Sequence, residues 1–293
     1  MKNLKALLFS IIGVCLLFTG CHKEQTSEVG NAKVKVHIND FSVEQEELSG
    51  AKDAIASYNG VKAVTLAFYT SDGTETYKTT QLREDATTYT TFGEFDLSLP
   101  MGSYTMVVLG YALYDDDALT LTSPTQAEYT SGCPRETFAA TQAVNIASTD
   151  AVNLSATLDR IVTKLQVVST DGRTANANKV RMTFSAGGKA FSPTTGLATV
   201  NTGSVSTVGI SAAAGNSSNS IGYLFLATDE QTMTVTIDVL DTVGNSISHK
   251  VVNNVPFKRN RCTKLTGSLY TAGSVDGSFS VNTAWLSDTT ITF

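Results

Sequence analysis

Apolar and polar residues alternate with a period of two along much of this chain, which is typical of half-buried β-strands. Residues 34–41 are the first clear example, and Val34, Val36 and Ile38 fall on one face of that strand. Residues 104–111 form a continuous apolar run, whose threonine and valines favour a buried strand over a helix. We therefore predict that strands are the main elements of the fold.

Strand patterns continue to the C-terminus. They lie at residues 61–69, 92–99, 154–158, 161–167, 180–184, 221–226, 233–239, 247–252 and 279–293. Strands at such intervals favour β-sandwiches over a parallel sheet. We predict an all-β protein with two tandem sandwiches, an N-terminal domain at residues 33–150 and a C-terminal domain at residues 151–293. Residues 42–57 are predicted to be a loop with one helical turn.

The N-terminus has the pattern of an export signal. Lys2 and Lys5 precede an apolar segment at residues 6–18, which is shorter than the ~20 residues that span a bilayer. Small residues then precede Cys21, and this junction resembles a bacterial lipobox, in which the cysteine takes a diacylglycerol. The resemblance implies a signal peptide at residues 1–20 and a lipidated tether at residues 21–32, anchored in the outer membrane. A plain secretory signal is the alternative.

Composition and charge narrow the classes of partner. Charged residues are 16% of the chain, below the ~25% that is usual, and the formal net charge is −6. The densest basic cluster is residues 258–261, which we interpret as a structural connection at the surface. Because binding to phosphates needs a broad basic face, nucleic acid is not an expected partner.

The cysteines of the mature chain leave two possibilities open. Cys133 and Cys262 remain after the signal and the lipidated cysteine are set aside. A disulfide between them requires Cα atoms within about 7 Å, and two unpaired thiols are the alternative.

No arrangement of residues predicts catalysis, and we expect no enzyme activity and no cofactor. The three histidines, His22, His37 and His249, are isolated in the sequence and belong to no catalytic or metal-binding motif. The acidic run at residues 115–117 is predicted to be a solvated loop, with a Ca²⁺ site as the alternative.

Three segments together carry a resemblance to a known family. They lie at residues 97–108, 158–167 and 254–270, and the last contains the sequence VPFKRNRCTKLTG. Their order along the chain is similar to that of the Bacteroidales fimbrillin family, the subunits and anchors of type V pili. The resemblance implies two transthyretin-like Greek-key sandwiches.

The resemblance also implies assembly by strand addition. In that family a protease removes the first strand of the N-terminal domain, and a C-terminal strand of the next subunit fills the groove. Here the removable strand is residues 33–41, with Val34, Val36 and Ile38 as its apolar face. The candidate donor residues are Phe279, Val281, Ile291 and Phe293.

Whether the first strand is removed stays open at this point. The family is usually cut after arginine, but this chain has no arginine between Cys21 and Arg83. Lys52 is the only basic residue between Phe41 and Val61, so it is the candidate cleavage site of a stalk subunit. The alternative is an uncleaved anchor or accessory subunit.

The resulting hypothesis is a structural subunit, accessory protein or anchor of a cell-surface pilus that mediates adhesion. Its expected partners are other fimbrial subunits, in a homo- or heteropolymer, the outer membrane, and a host or bacterial surface ligand. The alternative is a surface carbohydrate-binding lipoprotein of a glycan-uptake system. Its only candidate aromatic platform is Tyr111 with Tyr114.

Overall fold

The computed structural model describes residues 30–42, 53–54, 60–83, 92–113, 119–130, 133–271 and 280–286. Every regular secondary-structure element within these residues is a β-strand, which confirms the prediction of an all-β fold built from sandwiches. Among the same residues, no helix is long and apolar enough to cross a membrane.

The strands follow one another along the whole described chain. They are β1 (Asn31–Ser42), β2 (Asp53–Ala54), β3 (Ala63–Thr70), β4 (Glu75–Leu82), β5 (Glu94–Pro100), β6 (Gly102–Tyr111), β7 (Leu119–Ser123), β8 (Gln126–Tyr129), β9 (Thr137–Ile146), β10 (Val152–Arg160), β11 (Thr163–Ser169), β12 (Lys179–Phe184), β13 (Ala190–Phe191), β14 (Ser204–Gly209), β15 (Asn219–Leu224), β16 (Glu230–Leu240), β17 (Ser246–Lys258), β18 (Cys262–Gly267) and β19 (Ser280–Leu286).

The N-terminal part is built on one eight-stranded sheet. Its order is β2-β1-β10-β9-β6-β3-β4, and β5 also pairs with β1. Alternating side chains from these strands meet in a core that includes Ile38, Leu66, Phe68, Phe138 and Leu158. The alternation read from the sequence therefore gives the buried face of this sheet.

The C-terminal part is a sandwich of two four-stranded sheets. One has the order β15-β11-β18-β19 and the other β14-β12-β16-β17. Apolar side chains of both sheets, among them Leu165, Phe184, Val235 and Phe257, pack together between them. Among the described strands, β19 lies at the edge of its sheet and pairs with β18.

A third apolar cluster joins the two parts. A small sheet of order β13-β8-β7 contributes Tyr129 and Phe191, and Phe225 of the C-terminal part stacks on Phe191 with ring centroids 4.1 Å apart. Residues of the N-terminal sheet, including Tyr69 and Tyr111, pack in the same cluster.

The predicted division at residues 150/151 stays a prediction. Strand β10 lies beyond that division, yet it pairs with β1 and β9 of the N-terminal sheet. The chain enters a different sheet only at β11. We propose a boundary after Arg160, because it leaves the N-terminal sheet intact.

Candidate functional site

Strand β1 occupies an internal slot in the N-terminal sheet. On one side it runs antiparallel to β5, from the pair Asn31 and Pro100 to the pair His37 and Glu94. On the other side it runs parallel to β10, starting at Val34 opposite Val152. Because both backbone edges of β1 are paired, its removal would leave two unpaired strand edges facing each other.

The inner face of β1 fills the core beneath this slot. Val34 is 1% exposed, and Val36 and Ile38 are fully buried, in the same cluster as Phe95 and Leu99 of β5. Burial of each such side chain is worth roughly 1.5–3 kcal/mol. An empty slot would therefore be an apolar groove that needs another strand to cover it.

The outer face of β1 is basic and faces acidic residues of β5. Lys35 lies directly opposite Asp96, with 3.6 Å between Nζ and Oδ1. His37 lies opposite Glu94, and its Nδ1 contacts the Glu94 carboxylate. Because these contacts are exposed to solvent, they contribute little to stability. Their main effect is that the charges of the two strands are complementary.

Strand β5 is held at its start by residues outside β1. Gln81 of β4, only 2% exposed, accepts a hydrogen bond from the Gly93 amide at 2.8 Å and donates one to the Glu94 carbonyl at 2.5 Å. Gly93 has a φ of 91°, a conformation that favours glycine at this close approach. The Arg83 guanidinium also lies 4.7 Å from the centre of the Phe92 ring.

The end of β5 is held in the same way. The hydroxyl of Tyr104 on β6 donates a hydrogen bond to the Pro100 carbonyl at 2.9 Å. Side chains of β4 and β6 thus fix both ends of β5 independently of β1. The sequence analysis did not identify Gln81. The one feature that could have indicated it is that a glutamine occupies an inward position of a threonine-rich strand.

Strand β10, the other wall of the slot, is held mainly at its last residues. It pairs with β9 only at Asp159 and Arg160. The buried Arg160 forms an ion pair with Glu136 at 2.8 Å and donates a hydrogen bond to the Asn260 side chain at 3.2 Å. Its guanidinium also lies 5.2 Å from the centre of the Phe138 ring.

The basic stretch at residues 258–261 lies in the C-terminal part, and its Asn260 contacts Arg160 of the N-terminal sheet. Lys258 pairs with Glu230 and Arg259 pairs with Asp229, each at 2.8 Å. Asn260 has a φ of 57°, and its amide donates to the Val162 carbonyl at 2.9 Å. The stretch borders a polar cleft of about 770 Å³ between β9, β10 and the C-terminal part, which agrees with a structural connection.

The segment before β19 is fixed by one carboxylate. Asp171 accepts hydrogen bonds from the Leu269, Tyr270 and Thr271 amides at 2.7–2.8 Å, and from the Ser268 and Thr271 hydroxyls. Burial raises the pKa of Asp171, but the hydrogen bonds outweigh it and lower the pKa to about 2.

Residues of β17 hold the same segment from the other sheet. The Ser248 hydroxyl donates to the Leu269 carbonyl at 2.7 Å, and the Lys250 ammonium donates to the Thr271 carbonyl at 3.0 Å. Residues 268–271, which follow β18, are therefore held by side chains of both sheets.

The predicted donor strand is described only in part. In β19, Val281 pairs with Leu265 of β18 in an antiparallel ladder. Phe279, Ile291 and Phe293 lie outside the described residues, as do Cys21 and Lys52. The roles assigned to these residues stay predictions.

The other candidate residues have structural surroundings. Cys133 and Cys262 form no disulfide with each other, so the alternative of two thiols fits the structure. His249 contacts Asp238 at 2.7 Å, in a cross-strand cluster with Arg181 on β12. Burial raises the pKa of Asp238, but hydrogen bonds from these two side chains leave it below its usual value.

Tyr111 does not form the aromatic platform that the carbohydrate alternative needs. It is 5% exposed in the central apolar cluster, and its hydroxyl lies 3.2 Å from that of Thr65. Tyr114, His22 and the acidic run at 115–117 lie outside the described residues. Within the part that is described, no group of three or more His, Cys, Asp or Glu residues could hold a metal ion.

Comparison with known proteins gives one family and a set of similar solved structures. A protein-family model described as a family of unknown function (DUF6562) matches residues 25–292. No curated protein matches the chain.

The structural matches cover nearly the whole chain at low identity. A candidate adhesin from Bacteroides ovatus has a TM-score of 0.54 at 11% identity, covering 87% of this chain and 95% of that one. A candidate polysaccharide-binding protein from Bacteroides thetaiotaomicron has a TM-score of 0.51 at 10% identity, covering 86% and 96%. The fimbrial anchor protein Mfa2 from Porphyromonas gingivalis has a TM-score of 0.49 at 12% identity, covering 86% and 95%. The first two show that the fold is shared.

Proposed function

We propose that this chain, which belongs to the family of unknown function DUF6562, is a structural subunit, accessory protein or anchor of a cell-surface pilus. It assembles with other subunits by strand addition and mediates adhesion. Its role is mechanical and adhesive rather than catalytic.

The observation that carries this proposal is the position of β1. Consecutive strands are usually neighbours, but β1 pairs with the next strand, β2, at only two positions and lies along most of its length between β5 and β10, which are far from it in sequence. Val34, Val36 and Ile38 seal the core beneath it. A strand that is N-terminal, paired on both edges and buried along one apolar face can be replaced by another extended strand in the same slot.

The fold comparison supports the proposal. The two structures that share the fold are described as a candidate adhesin and a candidate polysaccharide-binding protein. The burial of Tyr111 removes one half of the aromatic platform expected for carbohydrate binding, so we favour adhesion.

Strand replacement is tested by proteolysis of the purified chain. Trace trypsin should cut after Lys52, release β1, and yield a ladder of polymers on a non-boiled gel if the chain is a stalk subunit. The chain carrying Lys52→Gln should stay monomeric under the same treatment. A ladder that forms equally well from Lys52→Gln protein would contradict cleavage at this residue.

The C-terminal strand is tested by deletion. A variant lacking residues 288–293 should remain folded by circular dichroism but form no ladder after trypsin. If the chain is an anchor, β1 stays attached after trypsin, and the same deletion does not prevent binding of a partner strand. If the truncated chain forms ladders as well as the full chain does, residues 288–293 are not part of the donor strand.

We also propose that Cys21 carries the lipid and places the protein at the outer membrane or in the fimbrium. Cells grown with a clickable fatty acid should label the wild-type chain and leave Cys21→Ala unlabelled. An unlabelled wild-type chain would contradict the anchor without affecting the strand-exchange proposal.

A further inference from the structure

The walls of the β1 slot differ in charge along their solvent-exposed rows. On the β5 side, Glu94 and Asp96 lie opposite His37 and Lys35 of β1. On the β10 side, the outward residues next to the same two positions are the neutral Asn153 and Ser155. Around Lys35 and His37 the acidic groups of the slot therefore come from β5, whereas the nearest acidic residue of β10, Asp159, lies farther along the strand, opposite Ser42.

The resident strand matches this pattern. Its inward residues are apolar, and its outward Lys33, Lys35 and His37 are exposed. Lys35 and Asp96 form an ion pair with 3.6 Å between Nζ and Oδ1. Opposite charges directly across an antiparallel pair are favourable and like charges are unfavourable.

The C-terminal strand of the same chain does not match. The last basic residue in the sequence is Lys264, and residues 265–293 contain Asp276 and Asp288 but no lysine, arginine or histidine. Whatever its register in the slot, this segment can place no positive side chain opposite Glu94 or Asp96.

From this mismatch we infer that the slot of β1 is specific for a strand with alternating apolar and basic residues, supplied by a different subunit rather than by a second copy of this chain. The inference rests on the strand replacement proposed above and adds the chemistry of the partner. The apolar residues supply the affinity, and the two carboxylates of β5 select among apolar strands by charge.

The test is competition for the slot in the full chain. A single specific protease site is placed within residues 43–50, the chain is cut, and the nicked protein is unfolded in urea and refolded with a tenfold excess of labelled peptide. Every peptide competes with the same resident β1 fragment for the slot. The fraction of protein that carries labelled peptide therefore measures the affinity of that peptide relative to β1. The native peptide of residues 31–42 should replace most of it.

The charge variants carry the prediction. A peptide with Lys35→Glu and His37→Glu should bind about tenfold more weakly, because the Lys35–Asp96 ion pair and the His37–Glu94 contact are both replaced by two facing carboxylates. A peptide with Lys33→Glu is the matched control, since Lys33 lies opposite the neutral Ser98, and it should bind within about twofold of the native peptide. In 1 M NaCl the tenfold difference should shrink, because salt screens exposed charges.

Two further measurements separate charge selection from general loss of binding. Asp96→Lys in the chain should restore binding of a peptide with the single change Lys35→Glu. A peptide of residues 279–293 should compete at least tenfold more weakly than residues 31–42.

The outcomes distinguish the inference from the proposed function. The inference predicts that the trypsin-treated chain forms no ladder with itself. Such a ladder, equal binding of the native and doubly substituted peptides, or equal binding of residues 279–293 would overturn charge selection while strand replacement stands. If no peptide enters the slot, strand replacement itself fails, and the inference fails with it.

Discussion

At the scale of single residues, Asp171 combines burial with five accepted hydrogen bonds, and its folded pKa is about 2, below the usual 3.8. A lowered folded pKa adds stability that is present above pH 3.8 and is lost as the pH falls toward 2. We expect Asp171→Asn to lower the free energy of unfolding by about 2 kcal/mol at pH 7. The difference from wild type should shrink between pH 4 and pH 2, as measured by urea unfolding.

The control for this measurement is Asp150→Asn, at an exposed turn where the carboxylate accepts a hydrogen bond from Ser148. It should change the free energy of unfolding by less than about 0.5 kcal/mol. A difference for Asp171→Asn that stays constant from pH 7 to pH 2 would show that its carboxylate is not the stabilising group.

Gln81 is the second residue whose role is local and measurable. Gln81→Met removes both side-chain hydrogen bonds to Gly93 and Glu94 and leaves buried backbone groups unsatisfied, at a cost of about 1–3 kcal/mol. Hydrogen exchange of the Gly93 amide should accelerate by at least tenfold. Gln142→Met, at an exposed position of β9, is the matched control and should leave this exchange unchanged. Unaltered Gly93 exchange in Gln81→Met would show that β5 is held by other contacts.

At the scale of elements, the two faces of β1 should respond differently to substitution. Val36 is fully buried, so Val36→Thr places a hydroxyl without a partner in the core and should destabilise the protein by about 2 kcal/mol. Lys33→Thr, the same new residue on the exposed face, should have an effect below about 0.5 kcal/mol. Thermal unfolding of the two variants measures the contrast, and equal effects would mean that β1 does not seal the core.

At the scale of the whole molecule, Arg160 connects the N-terminal sheet to the C-terminal part. Arg160→Met would leave the nearly buried Glu136 without its ion pair and remove the contact with Asn260, at a cost of about 3–5 kcal/mol. Calorimetry should show the transition of the N-terminal part moving to lower temperature, separated from that of the C-terminal part.

The control for this joint is Arg259→Met. Its partner Asp229 is 67% exposed, so the loss should be about 1 kcal/mol or less. A single calorimetric transition in Arg160→Met, shifted no further than in Arg259→Met, would show that the joint lies elsewhere, for example in the stacked rings of Phe191 and Phe225.

The sequence by itself determined that the fold is built from strands, where many of them lie, and which face of those strands is buried. Side chains alternate across a strand, so a local pattern is enough to place Val34, Val36 and Ile38 on the core side. The same reasoning gave β6, β16 and β17. It missed several strands, among them β7, β8 and β14. It also missed β4 and β9, whose threonine-rich or alanine-rich sequences have a weak apolar period.

Only the tertiary structure decided which strands are neighbours. The partners of β1 begin at Glu94 and Val152, and nothing local to β1 specifies either pairing. The same is true of β10 joining the N-terminal sheet, of Gln81 holding Gly93, and of Tyr111 lying in the core. Strand pairing depends on contacts between residues far apart in sequence, and a periodic pattern records burial without recording the partner.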